Sequence, residues 1–123
     1  MKKVIALLLS ILLVTSAFCL EAFATSKGTE GYRDGYWYNN LNIQSKQASV
    51  LFSWAGNGSF STDLQVFYRD ASGRLHGPLY QSGRHTSYGR TVSRTVSVSG
   101  TVESAEATFR IEQTVVSYLS GRP

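Results

Sequence analysis

The stretch FSTDLQVFYR, residues Phe60 to Arg69, alternates by twos over its whole length. Phe60, Thr62, Leu64, Val66 and Tyr68 fall on one side, and Ser61, Asp63, Gln65, Phe67 and Arg69 on the other. Successive side chains of an extended strand point to opposite faces, so this spacing predicts a strand with one face on a core and the other toward water. A helix would need apolar residues every three or four positions, and no segment beyond residue 24 carries that stripe.

The same period extends on both sides. Upstream, Ala48, Val50, Phe52 and Trp54 form a second alternating set. Asn57-Gly58 lies between the two sets, and both residues tolerate the positive φ of a type I′ turn, so Gln47–Ala55 and Phe60–Arg69 are expected to pair as a hairpin. Downstream, Asp70-Ala71-Ser72-Gly73 has the residues of a type I turn and hands the chain to Leu75–Gln81. Pro78 lacks an amide donor, which places that strand at an edge.

Residues Ser82 to Gly89 read as an exposed loop. Thr91–Ser99 is a β-branched strand, and Ser99-Gly100 turns the chain toward Ala105–Glu112. There Ala105, Ala107, Phe109 and Ile111 alternate with Glu106, Thr108, Arg110 and Glu112. Tyr36–Ile43 opens the series and Thr114–Leu119 closes it. About seven short strands with turns roughly every ten residues predict an all-β fold, a small antiparallel sandwich or partly open barrel.

The first 24 residues have another character. Met1-Lys2-Lys3 is a basic head, Val4–Leu20 is apolar apart from Ser10, Thr15 and Ser16, and Ala22-Phe23-Ala24 ends the run with small residues where a signal peptidase reads. This is the pattern of a secretory signal peptide cleaved after Ala24. Lipid attachment at Cys19 would require a small residue where Phe18 stands, so it is not expected. Residues 25–33 then read as a flexible lead-in, and 34–123 as a single sandwich domain. Cleavage removes the only cysteine, so no disulfide or thiolate is expected in the mature chain, and a chain of about 100 residues must rely on its core alone.

The whole chain has 12 basic and 8 acidic residues. Lys2, Lys3 and Glu21 belong to the leader, which leaves ten against seven and a net charge of +3. Ala71–Val102 contains no acid, but it holds Arg74, Arg84, Arg90, Arg94 and both histidines, His76 and His85. Two arrangements follow: a positive face toward an anionic partner, or neutralisation by acids on adjacent strands.

Catalysis is not expected. The two histidines have no zinc-ligand spacing, both read as solvent-facing, and the carboxylates are accounted for by strand faces and turns. No metal or cofactor site is expected. The remaining signal is GYRDGYWYNN, residues Gly31 to Asn40, with four aromatic rings. In a strand Trp37, Leu41 and Ile43 face the core, interrupted by Asn39, while Tyr36, Tyr38, Asn40 and Asn42 face out. Tyrosine presents a large, stiff, hydrogen-bonding surface. Tyr88 lies between Arg84 and Arg90, and rings among arginines hold sugars or anionic groups.

These features predict a secreted, non-catalytic binding protein for an anionic polymer, a glycan or an envelope surface, with Tyr36, Tyr38, Arg84, Tyr88 and Arg90 as contacts. Two alternatives carry different tests. One is a secreted antibacterial, bacteriocin-like or membrane-active effector, suggested by a basic, cysteine-free chain. The other is an inhibitor of a secreted enzyme that presents Ser82–Gly89 to a secreted or surface protein. Nucleic acid is the least expected partner, and no transmembrane segment is expected in the mature chain.

Overall fold

The computed structural model describes residues 24–85 and 91–123. Residues 1–23, where most of the expected signal peptide and Cys19 fall, and the residues Tyr88 and Arg90 lie outside the described residues. Eight antiparallel strands are described: β1 (Thr25–Tyr32), β2 (Tyr36–Ile43), β3 (Gln47–Trp54), β4 (Phe60–Arg69), β5 (Leu75–His85), β6 (Thr91–Ser97), β7 (Thr101–Ile111) and β8 (Thr114–Gly121). They form two four-stranded sheets, β1-β2-β3-β6 (sheet A) and β5-β4-β7-β8 (sheet B). The fold is a β-sandwich.

The alternating pattern is realised strand by strand. Ala48, Val50, Phe52 and Trp54 are buried along β3, Phe60, Thr62, Leu64 and Val66 along β4, and Ala105, Ala107, Phe109 and Ile111 along β7. These inner faces meet in one core. Phe52 is its centre: its ring meets Trp37, Phe60 and Phe109 edge-on, with centroids 6.2, 5.5 and 5.1 Å away. Edge-to-face contact suits the aromatic quadrupole. The indole N–H of buried Trp54 donates to the Arg33 carbonyl at 2.9 Å, so the ring enters the core without an orphaned donor.

The expected β3–β4 hairpin does not form. β3 pairs with β2 and β6, and β4 pairs with β5 and β7, so the two strands belong to opposite sheets. A hairpin would put both apolar faces side by side in one sheet. Residues 55–59 instead arch across the roughly 10 Å between sheets and set those faces against each other. Asn57 has no positive φ; in its loop only Gly58 does, at 154°. The two-residue turn with both φ positive is Glu112-Gln113, at 50° and 74°, and it closes the β7–β8 hairpin. Ser99-Gly100 is likewise part of a crossing, from β6 in sheet A to β7 in sheet B.

The expected flexible lead-in is also corrected. Thr25–Tyr32 is strand β1, in register with β2 from Thr25↔Ile43 to Tyr32↔Tyr36. Its side chains are almost all exposed, so it has no apolar alternation to read. Asn39 holds it. This residue interrupts the apolar face of β2, and its Oδ1 accepts from the Thr29 N–H and hydroxyl, each at 2.8 Å. The Thr29 hydroxyl in turn meets Ser117 of β8 at 2.7 Å, and the Lys27 ammonium donates to the Ser120 carbonyl at 2.7 Å. Side chains therefore close the open side between β1 and β8.

The other open side lies between β5 and β6. Arg94 Nε donates to the Ser82 carbonyl at 3.1 Å, and Gly83 leaves room for Val92 and Arg94. β5 is an edge strand, as Pro78 requires. It runs to His85, four residues into the stretch expected as a loop.

Candidate functional site

Sheet A turns Tyr36, Tyr38, Asn40 and Asn42 outward, because Trp37, Asn39, Leu41 and Ile43 between them are buried. The register sets neighbours beside each: Tyr32 next to Tyr36, Glu30 and Ser53 beside Tyr38, Gly28 and Leu51 beside Asn40, Ser26 and Ser49 beside Asn42. β6 completes the rows with Thr91, Ser93 and Thr95. Glu30 is the only charged residue at the outward positions of these four strands. The outer face of sheet A is therefore a flat field of hydroxyls and amides with a tyrosine cluster at one end.

That cluster is open to solvent. Tyr32, Tyr36 and Tyr38 are 79%, 48% and 42% exposed. The Tyr36 and Tyr38 rings lie 6.0 Å apart and are inclined by 35°. The Tyr36 hydroxyl donates to the Glu30 carboxylate. This hydrogen bond, assisted by partial burial and the carboxylate charge, raises the Tyr36 phenol above its ordinary pKa and keeps it neutral. A shallow depression beside the rings is lined by Gly28, Glu30, Tyr36 and Tyr38, and a second one on the same face by Asn40, Asn42, Ser49, Leu51, Ser93 and Thr95. Asn40 and Ser26 bond each other at 3.1 Å, and Thr91 donates to Ser53 at 3.2 Å, so the polar groups are ordered along the rows.

Arg84 stands elsewhere. It is exposed on the outward face of β5, in sheet B, beside Ser61. The sandwich core therefore separates it from Tyr36 and Tyr38, and the three do not make one surface. The described part of the basic segment is dispersed as well: Arg94 bonds the carbonyls of Ser82 and Ser93, and His76 pairs with Asp70. Sequence reading missed Tyr32, Glu30 and Thr91 as neighbours of the tyrosines. No local signal could reveal them, since their place depends on strand register.

His76 corrects the expectation of a solvent-facing residue. It is half-buried, stacked on Tyr68 at 5.2 Å, with Nε2 2.7 Å from Asp70 Oδ2. Asp70 also accepts from the Ser72 hydroxyl at 2.6 Å, the Ser72 N–H at 2.9 Å and the Arg74 N–H at 3.0 Å. These bonds, the Ser72 hydroxyl first, hold its carboxyl well below its ordinary value of 3.8. A carboxylate with a depressed folded-state pKa stabilises the fold above its unfolded pKa, and that stability is lost as pH falls through the folded one. Asp70→Asn is therefore expected to lower the urea midpoint at pH 7, with the gap to wild type narrowing below about pH 4. A gap constant from pH 7 to pH 2 would show that the charge on Asp70 does not stabilise the turn.

Among the described residues no three His, Cys, Asp or Glu side chains cluster as metal ligands, and no helix is long and apolar enough to cross a membrane. No family model and no curated protein matches the sequence. Among solved structures the chain is similar to CsgH of R. palustris, with a TM-score of 0.39 and 12% identity over 80% of this chain and 91% of that one. It is also similar to a DUF1425 family member from Shewanella sp. pv-4, with a TM-score of 0.37 and 11% identity over 74% of this chain and 80% of that one. Likeness at this level assigns no function.

Proposed function

We propose that the protein is a secreted, non-catalytic binding module that holds a glycan chain on the outer face of sheet A. The observation that carries this reading is the Tyr36–Tyr38 pair, exposed and continuous with rows of Asn, Ser and Thr that carry almost no charge. Sugars offer apolar C–H faces for stacking on a ring and hydroxyls for bonding to amides and hydroxyls. Tyrosine supplies the first at low entropy cost, and the rows of β1, β2, β3 and β6 supply the second. A nearly uncharged face suits a neutral glycan better than a polyanion.

Residues Thr25–Pro123 should be retained on an insoluble glycan identified by array, with little dependence on salt. Tyr36→Ala and Tyr38→Ala are each expected to weaken retention about tenfold, the factor that 1.4 kcal/mol produces. Both side chains are exposed, so the thermal midpoint should hardly move. Equal retention of wild type and the double variant would overturn the proposal. So would killing of bacterial cells or leakage of liposomes by wild type and double variant alike, which would establish the effector alternative.

A further inference from the structure

We propose that the outer face of sheet B holds a second, separate binding site, for an oxyanion, between Arg84, Ser61 and Arg110. The register of three adjacent strands builds it. Ser61 of β4 is opposite Arg84 of β5 on one side and Arg110 of β7 on the other. Phe60, Thr62, Gly83, Phe109 and Ile111 are buried, so Ser61, Arg84 and Arg110 all point away from the core. Strands lie about 4.8 Å apart, so the two arginine backbones stand roughly 10 Å from each other with the serine hydroxyl midway. Both side chains are long enough to close on a small group above Ser61. A depression is present there, lined by Ser59, Phe60, Ser61, Arg84, Arg110 and Gln113.

The charges around the depression favour an anion. Arg110 gives Nη1 to Asp63, which holds its guanidinium in place and leaves the rest of its five-donor fork. Arg84 makes no ion pair among the described residues. Glu112, the other nearby acid, sets its carboxylate against Gly58 in the β3–β4 arch. Asp63 is paired with Arg110, so Arg84 is the arginine of this group with no ion pair among the described residues, and Ser61 and Gln113 stand by as neutral donors. Planar forks of this kind match a carboxylate, sulfate or phosphate.

The test uses the 25–123 chain labelled with ¹⁵N. Titration with inorganic sulfate, and separately with dextran sulfate, is expected to give saturable shifts of the Ser61 amide and of the Arg84 and Arg110 Nε–H signals. Neutral dextran should leave them unmoved. Arg84→Ala should lose about tenfold in dextran sulfate affinity at low salt, as expected for one charge-assisted contact. Arg84→Lys should recover only part of it, because an ammonium lacks the fork. Saturation by the free ion at sulfate concentrations no higher than the polymer needs would make a free anion the ligand; saturation by the polymer alone would make it a polymer-borne group. Diffuse, unsaturated shifts, or an Arg84→Ala variant that binds like wild type, would overturn the site. Tyr36→Ala/Tyr38→Ala is expected to bind dextran sulfate normally, so failure of the glycan reading and failure of this one are separately visible.

Discussion

Phe52→Ala is expected to destabilise the fold by about 3–5 kcal/mol, a large share of the roughly 5–15 kcal/mol that holds a small domain together. Phe52 is fully buried near the middle of β3, and its ring touches Trp37 from its own sheet and Phe60 and Phe109 from the other. Truncation leaves three aromatic edges facing a void that strands pinned on both sides cannot close. β3 lies between β2 and β6, and β4, which carries Phe60, lies between β5 and β7. With no disulfide expected in the mature chain, nothing offsets the loss. Urea unfolding followed by tryptophan fluorescence should show a lower midpoint with an unchanged slope. Phe52→Leu, which retains much of the volume, should cost only about 1.5 kcal/mol. Similar midpoints for wild type and Phe52→Ala would mean that the two sheets are not held by this cluster.

Gly100→Ala is expected to cost about 3 kcal/mol for a different reason, close approach of backbone. Gly100 lies on the crossing from β6 to β7, where a Cβ would sit 1.8 Å from the Arg69 carbonyl oxygen and 3.0 Å from the Asp70 Cα. Neither neighbour can yield cheaply. Arg69 is paired with Leu75 on one side and Thr101 on the other, and the crossing is tied to the β2–β3 loop by Val98 N–H to the Lys46 carbonyl at 2.9 Å and Val102 N–H to the Ser45 carbonyl at 2.8 Å. The thermal midpoint should fall by roughly 15 °C. Gly73→Ala is the control: its φ is +84° but nothing lies within 4 Å of the added methyl, so only the left-handed backbone penalty of about 1 kcal/mol applies. Equal effects at the two positions would show that Arg69 does not pack against the crossing as described.

Much of the strand content was readable before any coordinates. The sets in β3 and β7 are buried as their spacing requires, and so is β4 from Phe60 to Val66. A bulge at Phe67/Tyr68 then shifts the register and leaves Tyr68, expected on the core face, only half-buried. Trp37 faces the core while Tyr36 and Tyr38 face solvent, also as the period of two predicts. Pro78 marked an edge for a covalent reason, its missing N–H. β1 was not readable, because TSKGTEGY has no buried face and is held by the backbone ladder and by Asn39. Asn39 itself looked like a flaw in the apolar face, and its role became visible only once β1 lay beside it.

The candidate sites divide along the same line. That Tyr36 and Tyr38 are displayed together is a local fact, since residues two apart on a strand share a face. That Arg84 is remote from them and stands across Ser61 from Arg110, 26 positions later in the chain, depends on pairing. Likewise His76 came to a carboxylate through the fold of the β4–β5 turn and not through motif spacing.

By itself the sequence determined which residues of β2, β3, β7 and the first part of β4 are inside, because the alternation of side chains is a property of the extended backbone and needs no neighbour. Only the tertiary structure decided which strands lie side by side. Asn57-Gly58 suits a hairpin and an arch equally, and the choice was made by burial: β3 carries a wholly apolar inner face and β4 one interrupted only by Thr62, and those faces leave water by meeting across the sandwich.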